Sequence, residues 1–339
     1  MLENLDRETF FVMRRALALY LRLLLVVPVA ACALAVSLEP GHAGTRGVAV
    51  SIKPIHSLIA GVMRGVGSPD LIISGTASPH AYALKPSQAR ALRRARLVFW
   101  VGPNLESVLV TPLKALTGKG TVISLVSHPK IRRLALRTQR IWANGKQHGA
   151  QHGHNHGGHD HGQGIDPHIW LDPKNAQKIT QIAGTALSRH DPSNKSIYAA
   201  NVRRQLGELD RLLAAMRQTL GDTKGRPFIV FHDAFQYLED RLGLTSLGAI
   251  SLSPDRQPGP RQLSRLRTLI RGRNIGCVFQ EPQFPSRIVA ALVRSTTARI
   301  GVLDPIGSAI AAGPDHYSRL MRTNAKALSN CLNPGRAVH

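Results

Sequence analysis

Acidic residues are scarce in this chain: 20 Asp and Glu stand against 44 Lys and Arg in 339 residues, a formal net charge of +24. Aromatic residues are scarce too, at 5%. They rarely alternate with the basic ones as they would in a base-stacking groove, so no nucleic acid is expected as a partner. The basic residues are scattered through helix-like stretches and read as solvated faces. An anionic membrane surface is the alternative, because that attraction needs no motif. No HExxH helix occurs and the His and Cys spacing fits no zinc finger, so any metal site has to be assembled from distant loops. Beyond residue 38 no apolar run is long enough to cross a bilayer. What is present, 43% hydrophobic residues, is enough for the cores of two ordinary domains and excludes a disordered chain.

Residues 1–43 read as an export signal. Met13-Arg14-Arg15 precedes an apolar run from Leu23 to Leu38, and Gly41-His42-Ala43 supplies small residues at a cleavage position. A retained anchor is the alternative. Residues 1–12 fit a signal poorly, which makes Met13 the expected true start. The protein is therefore expected in the periplasm. Of three cysteines, Cys32 lies inside this signal after Val29-Ala30-Ala31, a loose lipoprotein-like box, and is expected to be removed with it. Cys277 and Cys331 remain, and an oxidising compartment favours pairing them.

From Val48 onward, short β-branched runs alternate with helical stretches. The runs at Val48–Ile52, Leu71–Ile73, Leu97–Val101 and Thr121–Ile123 read as buried parallel strands. Pro86 and Asp172-Pro173 open helices between and after them. Asp191-Pro192 starts a long helix ending by Gly221, whose apolar face is read as Ile197, Val202, Leu206, Leu209, Leu212, Leu213 and Met216. The grammar then repeats. Strands fall at Phe228–Phe231, Ser246–Ile250, Cys277–Phe279 and Ile300–Leu303, with helices over 233–242, 259–271, 285–295 and 316–332. The expected fold is α/β: two open parallel-sheet lobes, 46–190 and 225–333, joined by one long rigid helix over 191–221. A ligand of such sheets sits at the carboxyl ends of strands, which places the site in the interlobe cleft.

Two kinds of histidine stand out. Between His148 and His161, six of them (His148, His152, His154, His156, His159 and His161) sit among glycines and glutamines, within a loop over 145–165. That composition buries no core but offers many imidazoles to a metal, as accessory ligands. His80, His168 and His232 differ, because each follows or interrupts an apolar segment at a loop where its backbone is anchored. With Asp304, at the end of a strand, they make three imidazoles and one carboxylate, a set that suits four-coordinate Zn²⁺. Glu281 and Asp233 are candidates to orient the ligand rings.

Several strings carry a resemblance. Ala83-Leu84-Lys85-Pro86-Ser87, Val101-Gly102-Pro103 with Glu106, Val230-Phe231-His232-Asp233-Ala234-Phe235, Cys277 through Phe284 and Leu303-Asp304-Pro305-Ile306-Gly307 resemble the zinc-binding periplasmic components of ABC importers, the ZnuA-like solute-binding proteins. The resemblance runs from about Val48 to Leu332. It implies two α/β lobes joined by a helix, zinc held by His80, His168 and His232, a Cys277–Cys331 disulfide, and delivery of Zn²⁺ by a monomer to an ABC permease without catalysis. One departure affects the fourth ligand: some relatives carry a glutamate before the first histidine, where this chain has Pro79. Asp304 is expected in that role, with water as the alternative. A manganese or iron carrier, or an adhesion-type relative, would be favoured by a carboxylate in place of His232. A zinc hydrolase would use water as the fourth ligand but lacks a recognisable general-base motif.

Overall fold

The computed structural model describes residues 47–115, 120–142, 164–252, 258–294, 296–333 and 335. The expected signal over 1–43 with Met13 and Cys32, and the histidines from His148 to His161, lie outside the described residues. No helix among the described residues is long and apolar enough to cross a membrane.

The first sheet is formed by β1 (Val48–Ile52), β2 (Asp70–Ile73), β3 (Leu97–Trp100) and β4 (Thr121–Ser124). All its pairings are parallel, in the order β2-β1-β3-β4, with Val50 opposite both Leu71 and Phe99. Its helices are α1 (Lys53–Val62), α2 (Pro86–Arg94), α3 (Val110–Lys114) and α4 (Pro173–His190). Pro86 and Pro173 each occupy a first turn, where a missing N–H breaks no intrahelical bond. Asp172 caps α4 by accepting the Lys174 N–H at 2.9 Å.

The second sheet repeats the plan. It contains β5 (Pro227–His232), β6 (Thr245–Ser251), β7 (Cys277–Gln280) and β8 (Arg299–Val302), again all parallel, in the order β6-β5-β7-β8. Its helices are α6 (Gln236–Leu242), α7 (Pro260–Gly272), α8 (Arg287–Val293) and α9 (His316–Leu332), with α5 (Lys195–Thr219) running between the two halves. Alternation along β5 divides its side chains. Phe228 and Val230 enter the large core that also holds Val50 and Phe99, while Ile229 and Phe231 pack with Leu266, Ile270, Val289 and Leu292 beneath α7 and α8. Cys277 of β7 and Cys331 of α9 form a disulfide with Cα atoms 6.0 Å apart.

The long helix begins at Lys195, after a 3₁₀ turn over Pro192–Asn194, and its 25 residues span about 38 Å. Its buried face includes Leu209, Leu212, Leu213 and Met216 as expected, but Ile197 is 39% exposed. Polar side chains complete the face. Asn201 donates to the carbonyls of Val62 and Arg64 at the end of α1, and Gln205 donates to Leu58. Such bonds satisfy carbonyls that a helix end leaves open, and a periodicity search for apolar residues does not see them. The helix expected from Asp233 starts only at Gln236, and β8 stops two residues before Asp304.

The halves are also stitched together away from the long helix. Arg140–Trp142 lies along the free edge of β6, with Ile141 bridging Gly248, Ala249 donating to Arg140 at 2.9 Å and Trp142 donating to Leu247 at 3.1 Å. A side chain at position 248 would put its Cβ 2.8 Å from the Arg140 carbonyl oxygen, so glycine is needed for this approach. The indole of Trp142 adds a 2.6 Å bond to the Ser246 carbonyl. In return α9, last in the chain, packs on α1 and α5, and Tyr317 donates to the carbonyl of Trp170 at 2.8 Å.

Candidate metal centre

Three chain segments converge at the carboxyl ends of the strands. His80 sits in a 3₁₀ turn, Pro79–Ala81, after β2, and Ser78 accepts its backbone N–H. His168 precedes the 3₁₀ turn Ile169–Leu171. His232 is the last residue of β5, beside β7, where the strand order of the second sheet reverses and ligands of such sheets collect.

Two of the rings are clamped by carboxylates. Asp166 Oδ1 accepts the His168 N–H at 3.0 Å and lies 2.7 Å from its Nδ1. Glu281 Oε1 accepts the His232 N–H at 3.0 Å and lies 2.6 Å from Nδ1. A carboxylate only accepts, so each Nδ1 carries the hydrogen and each Nε2 keeps a lone pair. Those lone pairs converge: Nε2 of His168 is 3.3 Å from Nε2 of His80 and 3.3 Å from Nε2 of His232. The donor atoms of the three residues all lie within 4.8 Å of one another.

Electrostatics keep two of these imidazoles neutral. Burial, reinforced by His168 and His232, pushes His80 down to about 2. Burial and the neighbouring His232 also hold His168 well below its ordinary value. At His232 burial acts in the same direction, but the Glu281 carboxylate, helped by Asp233 and Asp166, raises it above the ordinary range. Burial pushes Asp166 up to about 7. Trp170 stands 5.4 Å from the His168 ring and Phe284, stacked on Phe231, stands 5.9 Å from the His232 ring. These aromatic walls border a cavity of ≈ 10 Å³.

The set passes a simple test of fit to zinc. Tetrahedral ligands with Zn–N near 2.0–2.1 Å stand about 3.3 Å apart, which is the observed separation of His168 Nε2 from both His80 Nε2 and His232 Nε2.

Residues 48–331 match the profile of the ZnuA family, zinc-uptake complex component A, periplasmic. The chain belongs to this family. It is 38% identical to the high-affinity zinc uptake system protein ZnuA of Brucella suis biovar 1, over 86% of this chain and 93% of that one. The protein of the same description from Yersinia pestis is 32% identical, over 87% and 93%. Among solved structures, a ZnuA crystal structure covers 85% of this chain and 99% of its own at TM-score 0.68 and 24% identity. The periplasmic zinc-binding protein TroA of Treponema pallidum gives 0.69 at 19% identity, over 85% and 99%. Both of these structures share the two-lobe fold.

Among the described residues, Asp304 does not join the three histidines. Its Oδ1 accepts N–H groups from Ile306 and Gly307 and the Gln283 amide, and its Oδ2 accepts the Ser308 hydroxyl at 2.7 Å and the Ser308 N–H. Both oxygens are committed to the loop that follows β8 and to Gln283. Glu281 does hold a ligand ring, while Asp233 turns away and pairs with Arg137 at 2.8 Å. Asp166, the clamp on His168, is the residue that sequence reasoning missed. Its signal was the two-residue spacing in Asp166-Pro167-His168, which lets a carboxylate fold back onto both the backbone and the ring.

Proposed function

We propose that this chain captures Zn²⁺ in the periplasm through His80, His168 and His232 and delivers it to an ABC permease in the inner membrane. The observation that carries this reading is the convergence of three imidazoles, with His168 Nε2 at tetrahedral-edge spacing from both His80 Nε2 and His232 Nε2 and with two rings already fixed in the ligating tautomer by Asp166 and Glu281. Preorganised imidazoles bind the ion without prior rearrangement. Glu281, and Asp166 when ionised, place negative charge one ring away and offset the charge of the cation.

Three nitrogen donors favour zinc over manganese, which prefers oxygen. The small cavity, ≈ 10 Å³, suits capture of an ion better than hydrolysis of a larger substrate, and the carrier is taken to act as a monomer. The lobes are taken as 46–190 and 225–333 around the helix over 191–221, behind a cleaved signal. The loop histidines from His148 to His161 act as weak collectors that raise the local zinc concentration.

Calorimetric zinc titration tests the centre. The parent chain should bind one ion tightly, and His232→Ala or His168→Ala should weaken that site by about 100-fold or more. Unchanged affinity in either variant overturns the assignment. Zinc-dependent growth of a strain lacking its own carrier, restored by this chain only when the permease is present, tests delivery.

A further inference from the structure

Gln283 lines the pocket of the three histidines and Asp304 does not. The amide Nε2 of Gln283 donates to Asp304 Oδ1 at 2.7 Å. A carboxylate cannot donate, so the amide nitrogen must face Asp304 and the amide oxygen must face the other way. That oxygen is buried and has no hydrogen-bond partner among the described residues. Asp304 cannot turn to release it. Its two oxygens hold the loop from Ile306 to Ser308, and Asn324 grips its backbone on both sides, accepting the Asp304 N–H at 3.0 Å and donating to the Asp304 carbonyl at 2.8 Å.

Three imidazoles leave a four-coordinate ion one ligand short. A buried acceptor without a partner is costly, and here it belongs to a residue of the pocket wall. We propose that Gln283 organises the fourth coordination place: its Oε1 accepts a hydrogen bond from a water on the bound zinc, and Asp304 is the positioning residue that aims it. The inference rests on the zinc-capture reading. It gives Asp304 a role in the site without ligation, since a carboxylate bonded to one end of an amide strengthens the acceptor at the other. An acceptor at this position favours an occupant that carries protons and disfavours an anion. The fourth ligand is therefore neutral and exchangeable, as suits a cargo that has to be released.

The test uses the full chain loaded with zinc, for calorimetry, and with Co²⁺, for its visible spectrum. Gln283→Leu keeps the volume and removes the acceptor. It should weaken zinc binding by about 10- to 100-fold and let thiocyanate change the cobalt spectrum at a concentration at least about tenfold lower than in the parent. Asp304→Asn presents an NH₂ that can bond the Gln283 oxygen and turn the amide, so it should reproduce part of the effect and add nothing in the Gln283→Leu background. Thermal unfolding identifies any variant that fails to fold; if Asp304→Asn does, Gln283→Leu alone decides. Unchanged zinc affinity and unchanged thiocyanate response in Gln283→Leu overturn the proposal. So does a changed cobalt coordination number before any anion is added, which would make Gln283 a direct ligand. Failure of the parent chain to bind zinc in a His232-dependent way defeats the zinc-capture reading instead.

Discussion

Glu281 holds His232 from two directions, accepting its backbone N–H at 3.0 Å and sharing its Nδ1 hydrogen at 2.6 Å. The ring can neither swing nor change tautomer without breaking the Nδ1 contact, and the backbone bond keeps the carboxylate in place for it, so its Nε2 lone pair has a fixed address.

The same contact sets the pH dependence of binding. Zinc needs an unprotonated imidazole, and the raised value of His232 lets protons compete at a higher pH than they would at a free histidine. Affinity should fall first as pH drops through the His232 range, while His80 and His168, held low, begin to compete only in stronger acid. In Glu281→Gln the fall should move to lower pH, and affinity at pH 8 should weaken by about 10- to 100-fold. Zinc titrations from pH 5 to 8 on both proteins check this; coincident pH profiles would contradict it.

Arg137 is 5% exposed and bonds Asp233 at 2.8 Å and Glu239 at 2.6 Å, with its guanidinium 4.2 Å from the Trp142 ring centre. Arg137→Ala should cost about 3–5 kcal/mol of stability near pH 8, because it strands two buried carboxylates. Burial pushes Asp233 up to about 6 and Glu239 up to about 7, with Arg137 pulling both back. Folded-state values above the unfolded ones mean that the folded chain holds these protons more tightly, so this part of the stability is present in acid and is lost as pH rises. Without Arg137 the values rise further and the loss continues to higher pH. The difference in melting temperature between parent and variant should therefore be larger at pH 8 than at pH 5.5.

Reducing the Cys277–Cys331 bridge, which spans 54 positions, should lower stability by about 4 kcal/mol in the chain-entropy description. Chemical denaturation with and without a reductant measures it. Zinc stoichiometry should be unaffected, since neither cysteine lies among the pocket residues.

Replacing residues 145–162 with a short glycine-serine linker should remove weak zinc equivalents and leave one tight site, its affinity within about threefold of the parent. Both ends of the segment are anchored independently of it: Trp142 on β6, and Gly164 and Ile165 on Leu136 and Ala135. Loss of the tight site would assign these histidines to the centre itself.

Much of the fold was legible because parallel strands buried on both faces must be β-branched and apolar, and because proline marks the first turns of α2 and α4. Lobe stitching was not. Arg140-Ile141-Trp142 has no pattern of its own, and only the neighbouring edge of β6 gives it a bridge partner. At the centre, His80 and His168 could be read from X-Pro-His turns beside apolar runs, and His232 from the end of β5. Asp304 illustrates the limit. An aspartate before proline at a strand end reads equally as a ligand or as a loop cap; the donors at 306–308 lie within four residues and fit the cap, while Gln283 becomes a neighbour only in three dimensions.

The antiparallel bridge between Ile141 and Gly248 has a mechanical consequence. Parting the halves widely would require peeling Arg140–Trp142 from the edge of β6, withdrawing the Trp142 indole from the Ser246 carbonyl and breaking the Arg137 ion pairs. The molecule is thus built as a flexure with a small stroke.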